Sequence, residues 1–284
     1  MSNKLKEDWD LIIKPERSFF HLNIMSLFNY RDLVYMFVKR DFVVFYKQTI
    51  LGPLWYIIQP LVNTIIFTII FGKVAKIPTD GIPPFIFYLA GNVVWGYFST
   101  CLNLTSNTFV INQALFGKVY FPRLVVPISH VLISLLQFFI QFIIFLLFLT
   151  YFYFYGAEVT PNYFIFFLPL LLLQIALLSL GCGTIISALT AKYRDLTFAM
   201  TFLVQLWMFA TPIVYPLSLI PENYRFFAVL NPMTSIVEIF RGAFLGQSTI
   251  SLSYILTSIA LTLLLLIAGL FLFNRVEKNF MDTV

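Results

Sequence analysis

Six apolar stretches of this chain, at residues 54–72, 84–110, 124–155, 163–190, 196–216 and 251–273, contain none of its thirteen Asp/Glu or eighteen Lys/Arg residues. About 20 apolar helical residues cross the hydrocarbon of a bilayer, and a charge at its centre costs at least ~2.5–3.5 kcal/mol. A membrane acting as solvent imposes that distribution. The pattern therefore predicts an all-α integral membrane protein with six transmembrane helices. It divides the chain into an N-terminal segment (1–53), a six-helix membrane domain (54–273) and a tail (274–284). Little remains for a separate catalytic domain.

The charges that avoid the spans cluster on one side. Fourteen Lys/Arg residues fall in the N-terminal segment, in the loops after spans 2 and 4, and in the tail. Only Lys73, Lys76, Arg225 and Arg241 fall on the other side. The positive-inside rule then places both termini in the cytoplasm. The net charge of +5 reads as topology and attraction to anionic membrane lipid, not as nucleic-acid binding. The opening Met1-Ser2-Asn3-Lys4-Leu5-Lys6-Glu7 has no apolar core after its basic residues, so no cleaved signal is expected and span 1 targets the chain.

Three segments outside the spans carry patterns of their own. Residues 30–48 suit a helix in the membrane surface, with Leu33, Val34, Phe37, Val38, Phe42, Val44 and Phe45 on one broad face. Asp32, Lys39, Arg40 and Lys47 lie opposite, while Asp41 projects into the apolar face, either for a local contact or for a partner protein. The loop 111–123 carries Leu115, Phe116, Val119, Tyr120 and Phe121, more large apolar groups than a solvated loop displays. A soluble partner covering them is favoured over the bilayer. Residues 217–250 are cut by Pro221 and Pro232 into pieces too short to span, and read as a re-entrant outer hairpin in which Glu238 and Arg241 pair one turn apart.

Within the spans the polar residues are neutral. Asn63, Asn92, Asn103, Gln137 and Gln141 suit interhelical hydrogen bonds or a hydrated passage. Cys101 and Cys182 read as small buried residues, and His130 as a packed or interfacial histidine. No metal-ligand spacing and no intramembrane acid for proton coupling occurs. The two Gly-Lys pairs, Gly72-Lys73 and Gly117-Lys118, have Phe67 and Asn112 where the first glycine of a phosphate-binding loop stands. If the protein pumps, its energy comes from elsewhere. Six spans are few for a secondary transporter, which favours a homodimer driven by a separate ATPase.

The motifs Ile12-Ile13-Lys14-Pro15, Tyr30-Arg31-Asp32-Leu33, Arg40-Asp41-Phe42 and Tyr46-Lys47-Gln48-Thr49-Ile50-Leu51-Gly52-Pro53-Leu54-Trp55 resemble the membrane subunits of ABC-2 type polysaccharide exporters. So do Thr211-Pro212-Ile213-Val214-Tyr215-Pro216, Leu230-Asn231-Pro232-Met233 and Phe240-Arg241-Gly242, in matching order. The resemblance implies an N-terminal interface helix, six spans, and short gate helices between spans 5 and 6. It also implies a homodimer on two ABC ATPase subunits in the bacterial inner membrane. The chain itself would bind no cofactor, ATP and Mg being held by the partner. The cargo would be a lipid-linked O-antigen, with capsule or teichoic acid as alternatives.

On that resemblance the loop 111–123 matches the coupling position. Arg31, Lys39, Arg40 and Lys47 become candidates for admitting a lipid-linked pyrophosphate, because phosphate needs cationic donors and the spans have none. Glu238 and Arg241 become candidates for the outer gate. Two rivals remain: an ABC-2 permease for drugs, peptides or lipids, and a membrane enzyme or assembly factor. The sparse Glu158, Glu222, Glu238, Arg225 and Arg241 give the latter little support.

Overall fold

The structure, a computed structural model, describes residues 28–47, 52–119, 121–246 and 251–279. The motif at 12–15, residues 48–51 and 247–250, and Tyr120 lie outside the described residues. Every regular element among the described residues is helical.

Helix α1 (Arg31–Lys47) precedes the first span, which is α-helical as α2 (Trp55–Phe67) and continues as a π-helix over Thr68–Val74. The second span, α3 (Pro84–Ser106), starts on a proline, whose missing N–H is harmless in a first turn. Two four-residue helices, α4 (Thr108–Ile111) and α5 (Gln113–Phe116), connect it to α6 (Val125–Phe154). A 3-10 turn (Tyr163–Phe167) leads into α7 (Leu168–Thr190). Then come α8 (Leu196–Ala210), α9 (Glu222–Val229), α10 (Pro232–Leu245) and α11 (Leu252–Asn279).

Among the described residues, five helices are long and apolar enough to cross a bilayer. The fifth apolar stretch, 196–216, differs from expectation. Its helix α8 has only 15 residues, because the backbone turns extended at Thr211, just before Pro212. At 1.5 Å per residue it reaches about 22 Å, short of the ~30 Å hydrocarbon. Helix α11 continues past residue 273, through Arg275 and Glu277.

Helix α3 is the centre of the bundle, packed against α2, α6 and α7, while α11 lies along α7. Small residues make these approaches close. A Cβ on Gly181 of α7 would stand 2.7 Å from the Leu266 backbone of α11. One on Gly269 would collide with the Gly181 carbonyl, so the two helices touch backbone to backbone, as membrane helices do where side chains are small. Polar bonds add register. Asn92 Nδ2 donates to Thr64 Oγ1 at 3.0 Å, and Gln174 Nε2 to Ser258 Oγ at 2.8 Å. His130 and both cysteines are buried, consistent with their reading as packing residues.

Candidate functional site

Candidate residues gather at opposite ends of the bundle. At the end bearing α1, Phe109, Phe116, Phe121, Phe37 and Phe273 form one aromatic cluster with Leu124, Val125 and Val126. Phe109 stacks on Phe273 with centroids 4.6 Å apart, and Phe37 meets Phe121 at 5.8 Å. Arg123 reinforces the cluster by donating from Nη1 to the Glu277 carbonyl at 2.8 Å, while its backbone N–H reaches the Glu277 carboxylate at 3.1 Å.

This arrangement corrects the reading of loop 111–123. Phe116 and Phe121 are almost fully buried against the chain's own helices, and Leu115 packs beside them. They need no partner to cover them. Among the described residues of the loop, the exposed large apolar groups are Ile111 (66% exposed) and Val119 (55%). A loop that carries its own hydrophobic core looks, in sequence, like one covered by another protein.

Helix α1 docks through Tyr30, Leu33, Val34 and Phe37, a stripe at helical spacing narrower than the broad face expected. Phe42 and Val44, placed on that face by the sequence, are exposed. Asp41 continues the docked stripe by one turn, and its intrusion is answered locally by Arg40, 2.8 Å away.

The four candidate cations of α1 are exposed but do not form one cluster. Arg31 and Lys47 are separated by about 24 Å along the helix axis at 1.5 Å per residue. Arg31 lies 3.8 Å from Asp32, and Arg40 is held by Asp41 and stands 4.8 Å over the Phe37 ring.

At the other end, α10 is almost wholly buried, unlike a surface hairpin. Asn231 caps it: Oδ1 accepts from the Met233 N–H and from Trp207 Nε1, while Nδ2 donates to Thr211 Oγ1 at 2.8 Å. Gly246 ends it in the left-handed conformation at φ 88°. Glu238 and Arg241 pair as expected, at 3.5 Å, yet both are buried. Arg241 also donates to the Pro212 and Ile213 carbonyls at 2.5 and 2.6 Å and stands 3.6 Å over the Phe87 ring. Burial pushes the Glu238 carboxyl above its usual range, opposed by Arg241 and the Leu217 N–H. The pair thus fastens α10 to the turn after α8 and to the first turn of α3.

One feature belongs to neither end. Gln59 and Asn63 of α2, and Gln205 of α8, are exposed on spans otherwise apolar. Among the described residues none of the three amides makes a side-chain hydrogen bond. Of the three, Asn63 alone is expected from the sequence as a polar group within a span, although Gln59 lies one turn before it.

Apolar spans around a charge-poor centre, with the ionic groups confined to the ends, define a polytopic membrane protein without an evident site for covalent chemistry among the described residues. The ABC-2 type transporter family model matches residues 32–245, and the chain belongs to that family. An O-antigen export system permease protein of Klebsiella pneumoniae is 28% identical over 252 residues, covering 88% of this chain and 94% of its own. One from Myxococcus xanthus is 26% identical over 92% of this chain and 98% of its own. A polysialic acid transport protein of Escherichia coli is 29% identical over 80% of this chain and 87% of its own.

Proposed function

We propose that this chain is the membrane subunit of an ATP-driven exporter of lipid-linked surface polysaccharide, with O-antigen as the cargo. It acts in the bacterial inner membrane as a homodimer with six crossings per copy and both termini cytoplasmic. Two ABC ATPase subunits bind and hydrolyse ATP with Mg, and the chain needs no cofactor of its own. The nearly full-length similarity to O-antigen export permeases supports the cargo.

The observation that carries the mechanism is the unmatched amides of Gln59, Asn63 and Gln205. A buried amide without a partner costs several kcal/mol in hydrocarbon, so lipid is a poor neighbour for these faces. A second copy enclosing a wet path between α2 and α8 satisfies them. Neutral amides and aromatic rings then bind sugars weakly enough for a long polymer to move. The short α8 suits this place, because a helix beside a hydrated path need not cover the full hydrocarbon.

In this mechanism ATP-driven closure of the partner moves the loop 111–123 and α1 together, since both are built on one aromatic cluster. The exposed cations Lys39 and Lys47 attract the pyrophosphate of the carrier, with Arg31 and Arg40 contributing once their carboxylates yield. At the far end, the Glu238–Arg241 pair holds α10 as the fixed side of the gate, and the more exposed α9 is the side that moves.

Deleting the gene tests the reading. Surface polysaccharide should disappear while its lipid-linked form accumulates inside, and re-expression should restore export; a normal surface coat would overturn the assignment. Lys39→Gln/Lys47→Gln should lower export without loss of the folded protein, and full export would remove the pyrophosphate role.

A further inference from the structure

Residues 75–83 join α2 to α3 at the end away from α1, and two left-handed stretches set their path. Lys76 stands at φ 52°, where glycine usually follows a helix, and the Ile77 N–H closes back on the Phe71 carbonyl at 2.9 Å. Asp80 and Gly81 follow at φ 50° and 81°, the two positive angles of a type I′ turn, which an Asp-Gly pair favours. The turn is closed twice: the Ile82 N–H donates to the Thr79 carbonyl at 3.0 Å, and the Thr79 hydroxyl to the Ile82 carbonyl at 2.6 Å. Thr79 and Ile82 are buried, so the turn is set in the core and presents the exposed Asp80 carboxylate at its tip.

That carboxylate reaches the root of α9. Ser218 Oγ donates to it, 2.8 Å from Oδ1 and 3.0 Å from Oδ2. Just before Ser218 the chain is anchored inward, since Leu217 is buried and Arg241 holds the Pro212 and Ile213 carbonyls. Just after it, Arg225 of α9 folds back, donating from Nε to the Ile220 carbonyl at 3.0 Å and from Nη2 to the Ser218 carbonyl at 3.5 Å. The other end of α9 is pinned: Val229 is buried, and Asn231 bonds to Trp207 and Thr211. Most of α9 between these ends is exposed. Helix α9 is thus a short arm hinged at 229–231, with its swinging end held at Ser218. The hold is reversible. Asp80 and Ser218 are both exposed, so water takes over their bonds when they part, at small net cost. The Arg241 bonds are buried, where parting strands a charge.

Resting on the reading of α9 as the moving side of the gate, we infer that Asp80 is a positioning residue for that gate. Through Ser218 it holds the swinging end of α9 against the fixed turn 79–82 in the closed state, and the bond opens whenever the path does. The type I′ turn suits this role, because a carboxylate on a rigid turn meets the same hydroxyl after every opening.

The test makes the bond covalent at will. Asp80→Cys/Ser218→Cys is expressed as the full chain in a strain lacking the gene, and the two thiols are joined by a short bis-methanethiosulfonate linker. Cys101 and Cys182 are buried and do not compete. Surface polysaccharide should stop appearing while the linker is in place and return when dithiothreitol releases it. Continued export by protein shown to be fully linked overturns the catch, and so does failure of the two thiols to join. A second measurement follows leakage of a small trapped dye from proteoliposomes without ATP, per copy of folded protein. Asp80→Ala should raise the leak about fivefold, the population shift that one hydrogen bond supports. Asp80→Asn, which still accepts from Ser218, should match wild type. Equal leaks from Asp80→Ala and wild type, or from Asp80→Ala and Asp80→Asn, count against the hydrogen bond as the hold. If the wild-type gene restores no export to the same strain, it is the reading as an exporter that falls.

Discussion

Arg241 and Glu238 sit one turn apart on α10, 3.5 Å from each other, with side chains only 2% and 7% exposed. A buried pair of this kind gains little over a well-packed apolar pair, but removing one member strands the other's charge, at a cost of about 3–5 kcal/mol. Arg241→Ala should therefore sharply lower the thermal midpoint of the purified protein in detergent. Arg241→Met/Glu238→Leu should lower it less than Arg241→Ala alone. Equal losses in the two variants would show that the carbonyl contacts to Pro212 and Ile213, not the stranded carboxylate, dominate.

Packing between α7 and α11 gives a second expectation. Gly181→Ala places a methyl 2.7 Å from the Leu266 backbone, which cannot rotate away as a side chain can. Overpacking of this kind typically costs about 1–3 kcal/mol. Gly117→Ala is the control, because its nearest neighbour would be the Gln113 carbonyl at an ordinary 3.7 Å. Melting curves should separate the two variants, with Gly117→Ala close to wild type.

How much of this was legible in the sequence depends on the solvent that each residue answers to. Among the described residues, charge avoidance marked five helices long enough to cross a bilayer, because lipid penalises every residue in the same way, and a helix expected at 30–48 lies at Arg31–Lys47. Pairing of Glu238 with Arg241 followed from helical spacing. Its burial did not, because nothing in i,i+3 spacing reports that Pro212, Ile213 and Phe87 close around the guanidinium. The fate of Phe116 and Phe121 was hidden for a related reason: Phe37, which meets Phe121, and Phe273, which stacks on Phe109 in the same cluster, lie far away in sequence. Arg123 looked like a topology marker, and only the fold brings it to Glu277.

The corrected loop predicts a split between neighbours. Phe116→Ala removes a buried ring from the cluster and should cost about 3–5 kcal/mol, the usual range for core phenylalanine. Val119→Ser, at an exposed position, should leave the melting midpoint within about 0.5 kcal/mol of wild type. In the proposed mechanism, where the ATPase acts on loop 111–123, Val119→Ser should still lower ATP-coupled export in cells. A stable Phe116→Ala would show that the aromatic cluster does not hold this end together.

The amides on the spans allow lipid and passage to be told apart by opposite signs. If Gln59 and Asn63 face hydrocarbon, Gln59→Leu/Asn63→Leu removes two costly groups and should raise stability in a bilayer without affecting export. If they face a hydrated path between copies, the same change places leucine where water and sugar pass. Stability then changes little, while export falls because the apolar lining breaks the run of weak polar contacts. Surface polysaccharide per copy of folded protein, measured beside a melting midpoint in lipid nanodiscs, reads both quantities. Reduced export at unchanged stability is the outcome expected here. Full export with a higher midpoint would place α2 against lipid and move the path elsewhere in the dimer.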